Sequence, residues 1–121
     1  MILLHGTTRL RAELIVRFGP DPHYAESLGQ ASDDGFATYV EGGRYMFHPS
    51  EECARRKSAL FPSEGGPAIL RVDVPDDIIQ KTDLQFFPLV HGVVQFNEKF
   101  GFEELRKAWP NLPREVRFIS P

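Results

Sequence analysis

The stretch that decides the fold is Ile2–Thr8, ILLHGTT, in which an apolar run leads into a histidine, a glycine and two hydroxyl side chains. The run at positions 2–4 predicts a short buried strand. The polar residues after it are of the kinds that form binding sites. Gly6 has no Cβ, so a ligand can approach its backbone, and its amide and carbonyl can both be presented to a planar amide. The alternative interpretation has His5 at a strand end, Gly6 in a turn and a threonine as a helix cap.

The next segment predicts an amphipathic helix. Leu10, Leu14 and Phe18 recur at four-residue spacing, joined by Ile15, and they predict an apolar face directed at a sheet. Gly19, followed by a proline, is the expected end of the helix.

The polar residues of this segment have separate expected roles. Thr7 or Thr8 is the predicted N-cap. Arg9 and Arg11 are expected to lie in water, and the lesser alternative is that one of them reaches a pyrophosphate.

Length and composition set the class of protein. The chain has 121 residues, with 41% hydrophobic and 26% charged, which fits one domain over residues 1–121. A net charge of −3 argues against a tight nonspecific nucleic-acid binder. One cysteine, Cys53, excludes an internal disulfide. No apolar stretch approaches the roughly 20 residues that span a bilayer, and no signal peptide is recognisable, so the expected location is cytoplasmic with no membrane partner.

Ten prolines and ten glycines favour an α+β fold with many turns. The segment PAILRVDV alternates in polarity and predicts a central strand, with one face formed by Ala68, Leu70, Val72 and Val74. Later segments predict a short helix or turn in DDIIQKTD, a strand in HGVVQF, a helix over residues 102–109 and a last strand in EVRFI.

The strand, the HGT string and the helix after it resemble the opening of the ADP-ribosyltransferase superfamily. The similarity is to the branch with the poly-ADP-ribose polymerases and diphtheria toxin, and to many small bacterial proteins that begin with a similar LYHGT string. In that family the histidine bonds a ribose hydroxyl of NAD and the glycine backbone holds the nicotinamide carboxamide. The resemblance implies these roles for His5 and Gly6, with Thr7 beside them. It also implies two small antiparallel sheets around an NAD cleft, with short flanking helices.

A second point of resemblance follows two strand-like pieces, residues 36–40 and 44–47. Ser50 is the predicted cap of the next helix, with Glu51 and Glu52 in its first turn. The stretch RYMFHPSEECA is similar to the family pattern YFT-S-x-E-x-A, in which a tyrosine stacks on nicotinamide.

This second match implies that Tyr45 stacks on nicotinamide. Phe47 and Tyr39 are the rivals for that role, and core packing is the favoured role of Phe47. A nucleophile and base formed by Cys53 and His48 has little support, because a lone cysteine is more commonly a small buried apolar residue.

Transfer of ADP-ribose passes through an oxocarbenium-like ribose, which a nearby carboxylate stabilises. In the family a glutamate on the strand after ILRVDVP supplies it, whereas this chain has HGVVQFNE, with Gln95 at that position and Glu98 three residues beyond. Three alternatives remain open. Glu98 is the catalytic acid and Gln95 orients the acceptor, or Glu115 is the acid, or the chain binds its ligand without efficient transfer.

The function implied is mono-ADP-ribosyl transfer from NAD to a macromolecular acceptor, protein or nucleic acid. A toxin-like role with an antitoxin or immunity protein as partner is a family analogy. The alternatives are a noncatalytic nucleotide or ADP-ribose binding module, and an RNA 2′-phosphotransferase-like enzyme, whose reaction needs arginines around the cleft. No metal site is expected, because the histidines and the cysteine show no ligand spacing.

Overall fold

The computed structural model describes residues 1–20, 37–42, 48–81, 85–87, 93–95 and 101–120. The strands in these ranges are β1 (Ile2–Thr8), β2 (Ala37–Val40), β3 (Pro67–Asp73), β4 (Gln85–Phe87), β5 (Val93–Gln95) and β6 (Arg114–Phe118). The α-helices are α1 (Arg9–Phe18), α2 (Pro49–Leu60), α3 (Asp76–Lys81) and α4 (Gly101–Ala108), with 3-10 turns at Pro62–Glu64 and Trp109–Asn111.

The described strands form one antiparallel sheet in the order β4-β5-β2-β1-β3-β6. The predicted α+β class is therefore confirmed. The expectation of two separate small sheets is wrong for the described strands, because β1 pairs with β2 on one side and with β3 on the other. Strand β1 thus joins the two halves.

Strand β1 is longer than the sequence predicted. It includes His5, Gly6 and both threonines, and it pairs with β3 from Ile2 to Thr8. The residues expected to follow the strand are therefore part of it. The reason lies in β3, whose seven residues supply a full-length partner, and in the β-branched threonines, which suit a strand.

The two faces of the sheet carry different cores. Leu3, Leu70 and Val72 pack with Ile15 of α1 and with Trp109 at the end of α4. On the opposite face a smaller cluster packs under α2 and consists of Leu4, Ala54, Ile69 and Ile119.

The predicted apolar face of α1 is right at Ile15 and wrong at Leu10 and Phe18. Leu10 and Phe18 are 48% and 62% exposed, whereas Ala12 and Ile15 are buried. The helix follows β1 without a loop, so the strand fixes its rotation, and the small Ala12 permits close approach to the sheet. The two ends of the four-residue row, Leu10 and Phe18, lie on the outer side of this helix, and Leu14 between them is partly buried.

Other elements agree with the sequence. In β3 and the residue after it, Ala68, Leu70, Val72 and Val74 are all buried, as the alternation predicted. Strand β5 lies within HGVVQF, whereas β6 and α4 each begin one residue before their predicted starts. Among the described helices, none has the length and apolar character needed to cross a membrane.

Candidate functional site

Strands β1 and β2 separate after two residue pairs. Leu3 pairs with Val40 and Leu4 with Tyr39, and the register of these two strands ends there. On its other side, β1 stays paired with β3 as far as Thr8. In the part of the chain that the structure describes, the pairing of β1 with β2 therefore ends at Leu4, and we call the unpaired interval beyond it the β1/β2 opening.

The backbone of Gly6 faces the β1/β2 opening. The Ile2 carbonyl accepts a hydrogen bond from the Glu41 amide at 3.0 Å, whereas the Met1 carbonyl accepts one from the Val74 amide at 2.8 Å. Because backbone groups of successive strand residues point to opposite sides, the even-numbered residues of β1 direct theirs toward β2. Gly6 lies beyond the last β1–β2 pair. Its amide and carbonyl thus point in the direction that a planar amide in the opening would need.

The Cα of Gly6 is covered by helix α2. A Cβ added there would overlap the Ser50 carbonyl oxygen, and it would lie 2.8 Å from the Ala54 nitrogen and 2.9 Å from the Ser50 carbonyl carbon. The missing side chain is therefore explained by close approach of a helix to a strand. Sequence reasoning assigned the glycine to ligand approach or, as the alternative, to a turn, and it missed this packing role.

The neighbours of Gly6 in β1 are buried on the other face of the sheet. His5 and Thr7 share a face with Leu3, since side chains alternate along a strand, and this is the face that α1 covers. His5 pairs with Leu70 of β3. The three candidate residues of β1 are adjacent in the strand, but the Cα of Gly6 faces α2, whereas His5 and Thr7 lie on the face that α1 covers.

Of the two threonines predicted as the N-cap of α1, Thr8 is the one that caps the helix. Its hydroxyl accepts from the Arg11 amide at 3.3 Å and lies 3.3 Å from Glu64 Oε1. The cap stabilises the turn from β1 into α1, because it satisfies one of the first backbone amides of the helix.

Gln95 lies in β5, on the far side of β2 from β1. It pairs with Ala37 of β2. If the register of Leu4 with Tyr39 continued by two residues, Ala37 would stand opposite Gly6. On that continued register the backbone of Gln95 would stand across the β1/β2 opening from Gly6, one strand beyond β2.

Three other predicted site residues, Tyr45, Phe47 and Glu98, lie outside the described residues, and their roles stay predictions. Glu115, the alternative acid, is exposed on β6 and pairs with Arg71 of β3. It lies two strands from β1 on the side away from the opening. This position does not suit a carboxylate that acts in the opening.

Tyr39, a rival for the stacking role, contacts helix α2. Its hydroxyl lies 3.6 Å from the Cys53 sulfur, and its ring meets the His48 ring edge to face with the centroids 6.4 Å apart. The Cys53 sulfur also lies 3.9 Å from Nη2 of Arg56. These contacts fix Tyr39 against α2.

His48, not the predicted Ser50, is the N-cap of α2. Its Nδ1 accepts from the Ser50 amide at 3.2 Å and lies 2.7 Å from the Ser50 hydroxyl. The reason is Pro49, which takes the first helical position, where its fixed φ and missing N–H are tolerated. Glu51 and Glu52 lie in the first turn, as predicted.

Arg11 does not lie in water as expected. Its Nε is 2.7 Å from Glu64 Oε1, and the two side chains are only 6% and 12% exposed. Its guanidinium also lies 4.1 Å from the ring centroid of Phe61. Arg9 is half-buried with its guanidinium 4.4 Å from the ring centroid of Phe118. Neither partner could be found from sequence, because Glu64 and Phe118 are far along the chain.

A surface ion pair links the turn after β2 to β3. Arg71 Nε donates to Glu41 Oε2 at 2.7 Å, and this hydrogen bond lowers the pKa of the Glu41 carboxyl below its ordinary value. The pair ties the two halves of the sheet together close to the two β1–β2 residue pairs.

Comparison of the chain with protein-family models, with curated proteins and with solved structures finds no match. The resemblance to ADP-ribosyltransferases therefore depends on the motifs quoted above.

Proposed function

We propose that the chain binds NAD in the β1/β2 opening and transfers its ADP-ribose to a macromolecular acceptor. The observation that carries the proposal is the Gly6 backbone, whose amide and carbonyl are directed toward the opening beyond the last β1–β2 pair. The nicotinamide carboxamide has a carbonyl oxygen to accept from that amide and an NH₂ group to donate to that carbonyl.

The other roles follow from the family resemblance. His5, next to Gly6 in β1, bonds a ribose hydroxyl, and Tyr45 stacks on nicotinamide. In the reaction the bond between ribose C1′ and the nicotinamide nitrogen breaks, and its electron pair leaves with nicotinamide. An acceptor nucleophile bonds to C1′ and loses its proton to the solvent. Glu98 supplies the negative charge that stabilises the oxocarbenium-like ribose.

Gln95 favours a second candidate function, binding without transfer. A neutral amide hydrogen-bonds a ribose hydroxyl but does not offset positive charge as a carboxylate does. Gln95 lies in β5, on the β2 side of the opening, and the resemblance expects a glutamate at this position of the sequence. A chain without a working carboxylate would be a nucleotide or ADP-ribose binding module.

The test combines NAD binding by calorimetry with nicotinamide release and label transfer from NAD labelled in its adenosine part. We expect the unchanged chain to bind NAD, to release nicotinamide and to label protein or nucleic acid in a lysate. Glu98→Gln should lower nicotinamide release by about 100-fold or more, the usual effect of losing a group that stabilises transition-state charge, with NAD affinity retained. Glu115→Gln is the matched control and should change neither quantity.

His5→Gln tests the binding role with a side chain of similar reach. We expect NAD affinity to fall by about tenfold, the effect of one lost hydrogen bond, while the far-UV circular dichroism spectrum stays unchanged. Binding of NAD without nicotinamide release would favour the binding module. Failure of the unchanged chain to bind NAD would contradict the transferase, and failure to bind ADP-ribose or a nucleotide as well would contradict the binding module.

A further inference from the structure

Strand β6 lies at one edge of the described sheet, with β3 on its inner side. The Ile119 amide donates to the Pro67 carbonyl at 3.1 Å, and the Asp73 amide donates to the Pro113 carbonyl at 2.9 Å. These bonds show that the odd-numbered residues direct their backbone groups to β3. The residues that direct their amides and carbonyls away from the sheet are therefore Arg114, Val116 and Phe118.

The charges of β6 are arranged so that the strand complements itself. The sequence REVRF has Val116 at its centre, with Glu115 before it and Arg117 after it, and both charged side chains are exposed. In an antiparallel pair of two such strands centred on Val116, Glu115 would face Arg117 of the partner subunit. The two-fold axis makes that contact twice. Opposite charges directly across an antiparallel pair are stabilising, and like charges are destabilising.

Other registers are less favourable. Moving the two-fold axis by one residue toward the start of the strand sets Glu115 against Glu115 of the partner subunit. Moving it by one residue the other way sets Arg117 against the partner's Arg117. Either shift also shortens the overlap of the five-residue strand. The register centred on Val116 is the one that combines full overlap with opposite charges.

The edge is held in place for such pairing. The Arg114 guanidinium donates from Nε to the Val16 carbonyl at 2.8 Å, and from Nη1 to the carbonyls of Trp109 at 2.6 Å and Leu112 at 2.9 Å. At the other end of the strand, Phe118 is 50% exposed. A strand fixed before association loses less conformational freedom on binding. Open edges are ordinarily blocked or covered in proteins, because they pair with other strands.

We propose that β6 is a self-association surface, on which two copies of the chain pair β6 with β6 in antiparallel fashion around a two-fold axis at Val116. The pairing continues the sheet of one copy into that of the other. It uses the edge opposite to the β2–β5–β4 half of the described sheet, so the β1/β2 opening stays outside the interface.

Sedimentation equilibrium over a range of protein and salt concentrations tests the proposal. We expect a monomer–dimer equilibrium that salt weakens. Glu115→Lys and Arg117→Glu each set like charges across the axis, and each should raise the dimer dissociation constant at least tenfold. An equimolar mixture of the two variants should dimerise, because each lysine or arginine then faces a glutamate of the other chain. Lys107→Glu, an equal change of charge on α4, should leave the equilibrium unchanged.

The mixture separates pairing from misfolding, since a chain that fails to fold is not rescued by a second altered chain. Val116→Pro removes the amide at the axis and should prevent dimerisation while the circular dichroism spectrum of the monomer is retained. A chain that stays monomeric up to about millimolar concentration would overturn the proposal. So would a dimer that neither charge variant weakens, or a mixture of the two variants that stays monomeric.

Discussion

Gly6 has helix α2 packed against its Cα and the β1/β2 opening beside its backbone amide and carbonyl. The HGT motif could be read from sequence, but the packing role could not, because the contacts come from Ser50 and Ala54, more than forty positions later. The packing role is therefore seen in the structure, and the proposed binding role would use the backbone of the same residue.

Gly6→Ala should destabilise the fold by about 3 kcal/mol, because the added methyl group overlaps the backbone of α2 and helix backbone has little room to shift. The measurement is the free energy of unfolding in urea. Gly42→Ala is the control, since a Cβ there meets nothing within 4 Å and only the φ of +85° opposes it. Its expected cost is about 1 kcal/mol. Equal costs for the two variants would contradict the packing role.

Glu64→Gln should cost about 3 kcal/mol, because Arg11 keeps its charge in a buried position after its ionic partner is lost. Thermal and urea unfolding measure the difference. Glu104→Gln removes one partner of the exposed Lys107–Glu104 pair and should cost at most about 0.5 kcal/mol. Equally small costs for the two variants would show that Arg11 is solvated in the way that the sequence predicted.

Arg71→Gln should raise the pKa of the Glu41 carboxyl toward its ordinary value, since the hydrogen bond from Arg71 is the main cause of the lowered pKa. A carboxyl whose pKa is lowered by folding stabilises the fold above its unfolded-state pKa, and this contribution is lost as pH falls through the lowered value. The stability difference between the two chains should therefore shrink in acid. NMR titration of Glu41 measures the shift, and Lys107→Gln should leave it unchanged.

At the scale of the elements, sequence pattern succeeded where the signal is local. The alternation in β3 and the acidic first turn of α2 were both read correctly. The buried face of α1 was predicted correctly only in part, because this ten-residue helix continues directly from β1, and the strand fixes which side of the helix faces the sheet. The length of β1 was missed for the same kind of reason, since β3 sets it from a distance.

Ile15→Ala should cost about 3 kcal/mol, the usual range for a buried isoleucine, whereas Leu10→Ala should stay within about 0.5 kcal/mol because Leu10 is half exposed. Both side chains belong to the face predicted from the sequence, so urea unfolding of the two variants tests the observed rotation of α1. A larger cost for Leu10→Ala would favour the predicted face.

At the scale of the whole molecule, the pairing of β1 with β2 is the shortest among the described strands, with two residue pairs. The α+β class followed from composition and turn residues, but the single continuous sheet did not, because strand pairing is not encoded in any one segment. The proposed NAD site is likewise a property of the whole sheet, since its β1 and β5 residues are about ninety positions apart in sequence.

Hydrogen exchange measured by NMR tests the β1/β2 opening. The His5 amide points toward β3, within the continuous β1–β3 ladder, and should exchange slowly. The Gly6 amide points toward the opening and should exchange at least about tenfold faster. Added NAD should slow the Gly6 amide and leave the His5 amide unchanged. Slow exchange at both amides without NAD would contradict the geometry on which the proposed function depends.

The pairing of β1 with β3 also constrains how the protein is made. Ile2 pairs with Asp73, so the ribosome must complete β3 before β1 can form all of its pairs with that strand. During that interval the nascent chain carries the apolar side chains of Leu3 and Leu4 without the neighbours that later bury them. Contacts between such distant segments form slowly, and exposed apolar strands of this kind are bound by chaperones or by other unfolded chains. Formation of the seven-residue β1–β3 ladder is thus the folding step that has to wait for synthesis of β3.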